Sequence, residues 1–304
     1  MKPLILDIKG NSTEDGPGIR AVVFFKGCPL SCTWCHNPES QHTARELAFD
    51  ANLCAGCGRC GEVCTRGAVD PGDPLRVDRG VCDLCGECVA ACPSRALEFA
   101  GRGMSAEEVV EVIAADKPFF DASGGGATFS GGEPCLHMEF LGRIMAGCRE
   151  RGISTLVETC GLFNLSAFRE QILPHLDILY VDLKIMDPED HRAFCGVDNR
   201  VILENFRALA ELSRDGVFQL LPRTPLVPGC TDTEQNLAAI ADFLAGLGVG
   251  RAQLLEYNPL WPEKWAKIGR QNPAPDDPAL AAWMDPEHVA ACRAMFAERG
   301  IRVG

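Results

Sequence analysis

No part of this 304-residue chain holds the roughly 18 uninterrupted apolar residues that a membrane span needs. The apolar part of the opening MKPLILDIKG is also too short for a secretory signal. Both absences point to a cytoplasmic protein without a membrane partner. Positive charge is scarce as well: 29 Lys and Arg against 42 Asp and Glu leave a formal net charge of −13. A chain of that charge has no general attraction for nucleic-acid phosphates, so a protein and small molecules are the expected partners. Leaving aside His36, the histidines show no metal-ligand spacing. One further lack raises a question. The segment GCPLSCTWCHNP, residues 27–38, sets Cys28, Cys32 and Cys35 in one loop with no fourth cysteine nearby. A purely structural tetrahedral site fills four positions, so three ligands suggest one position reserved for a substrate.

Cysteine is abundant, at seventeen residues, and in a reducing compartment that number points to metal or redox chemistry rather than disulfides. Eleven of them lie between Cys28 and Cys92. Within residues 51–100, CAGCGRCGEVCTRGAV is echoed 28 residues later by CDLCGECVAACPSRAL, and each copy reads C-x2-C-x2-C-x3-C. Paired runs of this kind hold two iron–sulfur clusters, the fourth cysteine of each run serving the other cluster. By that pattern Cys54, Cys57, Cys60 and Cys92 hold one [4Fe-4S] cluster, and Cys82, Cys85, Cys88 and Cys64 hold the second. Pro93 follows Cys92 as in the ferredoxin run, whereas Thr65 follows Cys64. Zinc knuckles are the alternative for eight cysteines, but the paired four-cysteine runs favour iron and sulfur, and with them electron delivery.

Around this insert the chain alternates short apolar runs with helical patterns, which predicts a parallel α/β architecture. Strands are expected at 21–25, 127–130, 154–158, 178–183, 217–223 and 252–257. Helices are expected at 105–115, 138–151, 203–213, 235–247 and 286–299, with Ser105 and Glu108 as a capping box and Gly152 and Gly216 as stops. Six β/α units are too few for an eight-stranded barrel. The fold expected is therefore a partial (β/α)6 TIM-like barrel from residues 1–50 and 101–304, with residues 51–100 as a ferredoxin-like insert; a doubly wound sheet is the alternative. Motifs rich in glycine and polar residues follow the strand ends: the cysteine loop, SGGEP, ETCG, DLK, RTPLVPG and EYNP. A site at the C-terminal rim is what such folds build.

Three thiolates on a four-iron cubane leave one iron for a small molecule bearing an amine and a carboxylate. C-x3-C-x2-C with Trp34 before the last cysteine resembles the radical S-adenosylmethionine (SAM) superfamily. More specifically, EDGPGIRAVVFFKGCPLSCTWCHNPE, residues 14–39, resembles the opening of the activating enzymes of glycyl-radical enzymes, and SGGGATFSGGEP, ETCG, DLK and VPG follow in the family order. The insert resembles the subgroup with two extra clusters.

The resemblance implies three [4Fe-4S] clusters, one of them SAM-binding. It also implies a reductive cleavage of SAM that yields a 5′-deoxyadenosyl radical, which takes hydrogen from a glycine Cα of a partner glycyl-radical enzyme. A flavodoxin- or ferredoxin-type protein is the implied electron donor. Cys28, Cys32 and Cys35 match the cluster ligands, and Trp34 matches an aromatic position beside them. Gly131, Gly132 and Glu133 match the segment receiving the methionyl amine, Asp182 and Lys184 match SAM contacts, and Arg223 matches an arginine on the SAM side of the barrel. Glu158, Thr159 and Asp182 fall where a monovalent cation binds beside SAM. Glu158 stands in place of the family's aspartate, Cys160 in place of asparagine, and Asn258 in place of a histidine near the nucleoside. Asp15 matches a position near the incoming glycyl loop.

Cys148 and Cys292 fit helix cores, Cys160 is read as packing, and Cys135, Cys195 and Cys230 are given no role. WPEKW, residues 261–265, either packs on the partner or covers the barrel mouth. Two rival functions remain at this point: another radical SAM enzyme with auxiliary clusters acting on a peptide or small molecule, and a non-catalytic ferredoxin-like carrier. Partners of the two-extra-cluster subgroup include choline trimethylamine-lyase, isethionate sulfite-lyase, glycerol dehydratase and arylacetate decarboxylases, and no motif here chooses among them.

Overall fold

A computed structural model of the protein describes residues 3–273 and 277–304. In chain order, β1 (Leu4–Ser12) and β2 (Arg20–Phe25) lead into the cysteine loop. The cysteine-rich segment follows, with β3 (Glu46–Phe49), α1 (Arg59–Glu62), α2 (Glu87–Ala90), β4 (Leu97–Ala100) and β5 (Arg102–Gly103). The rest of the chain runs α3 (Ala106–Ala114), α4 (Lys117–Ser123), β6 (Gly126–Gly131), α5 (Met138–Glu150), β7 (Ser154–Thr159), α6 (Leu165–Gln171) and β8 (Ile178–Asp182). It ends with α7 (Pro188–Cys195), α8 (Arg200–Ser213), β9 (Gln219–Pro225), α9 (Glu234–Gly246), β10 (Arg251–Leu255), α10 (Pro262–Lys267), α11 (Pro286–Ala297) and β11 (Arg302–Val303).

Nine strands form one sheet in the order β11-β10-β9-β8-β7-β6-β2-β1-β5. From β2 through β6 to β10 every pairing is parallel and neighbours follow chain order, so there is no point at which the order reverses. A doubly wound sheet requires such a reversal, so that alternative is excluded. The topology is that of a laterally open barrel, wound one way. The six expected strands lie within about two residues of their observed bounds. β1 and β5, which pair antiparallel along one edge, and the short β11 were not anticipated. β1 alternates half-buried and exposed positions, and its Asp, Lys and Gly look like loop until β2 is available to pair with it.

Period two along the parallel strands separates two environments. Phe129, Val157, Leu179 and Val181 point outward into a core shared with α3, α5, α8 and α9. Thr128, Ser130, Glu158, Tyr180, Asp182 and Arg223 occupy the alternate positions, and their hydrogen bonds and ring contacts run to one another and to the strand-start turn. Helix placement follows local signals. Ser105 Oγ accepts from Glu108 N at 3.1 Å while Glu108 Oε2 accepts from Ser105 N at 2.7 Å, so α3 starts where its capping box predicts.

The cysteine-rich segment leaves the main body on β3 and returns on β4, which pair antiparallel from Glu46↔Ala100 to Phe49↔Leu97. Its own small core contains Leu47, Phe49, Val69, Val77, Cys88, Ala96 and Leu97. Charged side chains clasp it to the barrel: Lys26 Nζ to Glu46 at 2.7 Å, Lys267 Nζ to Asp50 at 2.7 Å, and Arg270 to Glu46. Arg79 adds donors to the carbonyls of Leu47 at 3.0 Å and Lys267 at 3.3 Å. No helix among the described residues is long and apolar enough to cross a membrane.

Candidate active site

The cysteine loop begins where β2 meets the end of β6, and glycine is required there by contact. A Cβ on Gly132 would stand 2.2 Å from the Gly27 carbonyl oxygen, and one on Gly131, at φ +103°, would stand 2.5 Å from Phe25 N. Main-chain bonds fix the loop: Gly27 N to Ser40 O at 2.6 Å, Cys28 N to Gln41 O at 3.0 Å, Ser31 N to Cys195 O at 2.9 Å and Thr33 N to Phe194 O at 3.0 Å.

Cys28, Cys32 and Cys35 share one apolar cluster with Leu30, Trp34, Cys160, Cys195, Tyr257, Trp261 and Trp265. Burial pushes the Cys28 thiol far up and that of Cys35 to about 12; a hydrogen bond with Cys195, and then burial, raises Cys32. Thiols so raised would need the charge of a bound metal to ionise, and three in one loop are the donor type an iron–sulfur cluster takes, while among the described residues no three such side chains converge on a single metal ion. Trp34 is itself buried, its ring 6.3 Å from that of Phe194.

At the ends of β6 to β9 the polar residues form two linked groups. The first is Glu133, fully buried: Oε1 accepts from Thr159 Oγ1 at 2.8 Å and Cys135 N at 2.9 Å, and Oε2 from Cys160 N at 2.7 Å. Burial holds its carboxyl above the usual range against those donors. The second group is ionic. Arg223 donates to Glu158 at 2.5 Å and to Asp182 at 3.1 and 3.2 Å, Lys184 donates to Asp182 at 2.8 Å, and Ser130 donates to Glu158 at 2.6 Å. Burial opposes ionisation of Asp182, but Lys184 and Arg223 hold its carboxyl below the ordinary value.

Two carboxylates thus face two fixed cations, and Thr159 Oγ1 is turned to Glu133. The donors expected for a monovalent cation are already compensated, so this set does not fit that ion and no step is assigned to it. The physical reason is the reach of Arg223, whose fork spans both carboxylates.

The remaining expected residues are spread around the barrel. Asn258 lies on the rim after β10, where its Oδ1 accepts from Leu260 N at 2.9 Å. His36 packs beside that rim, its ring 5.8 Å from Tyr257 and 6.2 Å from Trp261. Asp15 is not with them. It precedes β2, at the opposite end of that strand from the cysteine loop; its carbonyl accepts from Thr128 Oγ1 at 2.7 Å and its carboxylate takes the Ser12 hydroxyl. Trp261 and Trp265 are buried within this chain, which settles them as cover rather than partner contacts.

In the insert the repeat is repeated in space. α1 and α2 are four-residue helices, each entered through a left-handed glycine, Gly58 at φ +74° and Gly86 at φ +88°. Cys54, Cys60, Cys64, Cys82, Cys88 and Cys92 join one core, while Cys57 and Cys85 are exposed. A small enclosed cavity is lined by Cys64, Cys82, Cys85 and Cys88 together with Ala68 and Val69.

Three contributors were not singled out from the sequence. Ser130 was unremarkable in a glycine-rich run, yet it orients Glu158. Cys195 lies against the cysteine loop, and Gly196 beside it takes φ +86°, a left-handed conformation that favours glycine, where a Cβ would also displace the Ser31 hydroxyl. Arg20, from DGPGIR, is wholly buried, with Nε on Thr128 Oγ1 and Nη2 on the Ala127 carbonyl, both at 2.7 Å. The available signal was an arginine closing a Gly-Pro-Gly turn ahead of an apolar run, in which Gly16 and Gly18 take positive φ.

The profile of the Radical SAM superfamily matches residues 22–244. An isethionate sulfite-lyase activating enzyme of Oleidesulfovibrio alaskensis is 42% identical over 276 residues, covering 89% of this chain and 88% of the relative. A trans-4-hydroxy-L-proline dehydratase activating enzyme of Clostridioides difficile is 36% identical, covering 88% of each. Among solved structures, a radical SAM methyltransferase from Sphaerobacter thermophilus covers all of this chain and 77% of its own at a TM-score of 0.53 and 15% identity, a likeness of fold.

Proposed function

Because this chain belongs to the radical SAM superfamily, and within it to the activating enzymes of glycyl-radical enzymes, we propose that its partner is a glycyl-radical lyase of the isethionate sulfite-lyase kind. The observation that carries the choice is graded identity. Three isethionate sulfite-lyase activating enzymes stand at 41–42%, against 34–38% for those serving decarboxylases, hydroxyproline dehydratase and choline trimethylamine-lyase. The activity itself is reductive cleavage of SAM to methionine and a 5′-deoxyadenosyl radical, which removes hydrogen from a glycine Cα of the partner.

In this reading Cys28, Cys32 and Cys35 hold the cluster that SAM joins. Glu133 has both side-chain oxygens engaged by protein donors and its main chain bonded to Gly27 and Leu136, so it braces the strand ends, and the methionyl amine is left to the Gly132 carbonyl. Lys184, whose ammonium has one donor on Asp182, offers charge to the methionyl carboxylate, Arg223 holds Glu158 and Asp182 in place beside it, and Asn258 and His36 stand on the rim for the nucleoside. Tyr257, Trp261 and Trp265 keep water from the cysteine loop, which protects a radical from quenching.

The insert is assigned two auxiliary [4Fe-4S] clusters with the crossed ligand sets given above. The cavity shared by Cys64, Cys82, Cys85 and Cys88 supports that crossing, since it joins the last cysteine of one run to the first three of the other. The clusters would pass electrons from a flavodoxin- or ferredoxin-type donor in a reducing cytoplasm.

The partner is tested by anaerobic incubation of the reconstituted protein, SAM and reductant with each of three candidates: isethionate sulfite-lyase, choline trimethylamine-lyase and hydroxyproline dehydratase. A glycyl-radical EPR doublet, with sulfite released from isethionate, is expected in the first mixture alone. A stronger doublet in either of the others would reassign the partner.

A further inference from the structure

Arg76 is a guanidinium without a carboxylate. The protein carries 42 acidic residues against 29 basic ones, yet no ion pair to Arg76 is present among the described residues. Its side chain is partly buried over the Phe49 ring, 4.7 Å from the centroid, and one Nη donates to the Pro71 carbonyl. The other, Nη2, lies 3.5 Å from Cys54 Sγ, while Nε is buried with no partner. Arg76 sits at φ +62°, a left-handed conformation uncommon outside glycine, in a turn closed by Arg76 N to Asp73 O and Asp70 N to Arg76 O, both at 3.0 Å.

The second half of the repeat has no counterpart. Where the first run has Ala55 and Arg59, the second has Asp83 and Glu87. Arg66 is paired with Asp83 at 3.6 Å, and Arg79 spends its Nη donors on the carbonyls of Leu47, Val77 and Lys267. Arg76 is the one charged side chain among the described residues that donates to an insert cysteine sulfur.

We propose that Arg76 is a positioning residue that raises the reduction potential of the insert cluster ligated by Cys54, an inference resting on the reading that the insert holds iron–sulfur clusters. When that cluster takes one electron from a flavodoxin- or ferredoxin-type donor it gains one negative charge, shared with its sulfurs. A fixed guanidinium, which releases no proton, stabilises the reduced form through the N–H···S bond and its charge. Beside the cluster served by Cys82, Cys85 and Cys88, Arg66 lines the cavity but is paired with Asp83, and Arg79 acts on Cys82 through its charge with no N–H···S bond; the two halves of a near-symmetric insert therefore differ in potential and an electron arriving from outside settles first on the Cys54 side.

The test uses the reconstituted holoprotein and its R76M and R76K variants, with iron counted and EPR followed through a potentiometric titration with and without SAM. In R76M about twelve irons per chain are expected to remain. One SAM-insensitive signal should then show roughly a tenfold lower reduced-to-oxidised ratio at fixed potential, about 59 mV for one electron. R76K should shift the same signal less. No shift in either variant, or a shift in the SAM-sensitive signal, overturns the proposal. If R76M loses iron, R76K decides: a lowered potential supports the assignment, and an unchanged one leaves Arg76 a scaffold residue and overturns it. Wild-type protein with only about four irons would instead refute the cluster reading of the insert.

Discussion

Arg223 meets Glu158 on one side and Asp182 on the other, and all three side chains are largely shut off from water. Removing the guanidinium would strand two buried carboxylates beside Lys184 alone. Arg223→Ala is therefore expected to cost about 3 kcal/mol of stability in denaturant unfolding and to raise the SAM concentration needed for half-maximal cleavage. The Asp182 carboxyl is held below its ordinary value of 3.8, so its contribution is full above that pH and is lost as pH falls through the lower folded value. Acid unfolding monitored by circular dichroism should show that loss below pH 3.8, and Asp182→Asn should remove it. Cys32→Ala should abolish SAM cleavage while about eight insert irons remain; retained cleavage would refute the three-thiolate site. These residues differ in how readable they were. A cluster loop draws its ligands from neighbouring positions, so Cys28, Cys32 and Cys35 announce themselves. The ionic group joins strands far apart in the chain, and only the folded sheet reveals that Arg223 answers Glu158 where a cation was expected.

At the scale of elements, the six parallel strands were legible because each carries apolar or β-branched residues and is followed by a turn motif, and β2 and β6 are largely buried on both faces. β1 and β5 were not, because an edge strand with one exposed face acquires its identity from its partner. The approach of β6 to the cysteine loop is sensitive to a single atom. Gly132→Ala would drive a Cβ against the Gly27 carbonyl, a backbone atom that cannot swing aside. That variant should unfold earlier and lose SAM-cluster iron, whereas Gly246→Ala, in the open at the end of α9, should do neither; thermal unfolding and iron counts on both would check this. For residues 261–265 the sequence left open packing on a partner or covering the barrel mouth, and it carried no sign that Lys267 and Arg270 clasp the insert. Their joint replacement by alanine should leave iron content intact and slow turnover with a protein reductant more than with dithionite.

For the molecule as a whole, the net charge of −13, the laterally open barrel and the clasped cysteine-rich segment belong to an activating enzyme that acts on a glycyl-radical partner. Family and fold were readable because the chemistry fixes motifs in order along the chain. The partner was not, since docking surfaces carry no spacing rule, and the graded identity to isethionate sulfite-lyase activating enzymes now supplies the first candidate. Asp15, at the opposite end of β2 from the cysteine loop, shows that a motif matched in sequence need not share a rim with the residues it accompanies.

The central claim is tested most directly by mixing the anaerobically reconstituted protein with SAM, reductant and isethionate sulfite-lyase, then recording the EPR spectrum and quantifying methionine and 5′-deoxyadenosine. The account predicts a glycyl doublet on the partner that grows with both products and vanishes when the partner glycine is replaced by alanine. SAM cleaved to the same extent with no doublet on this or any other glycyl-radical partner would contradict it.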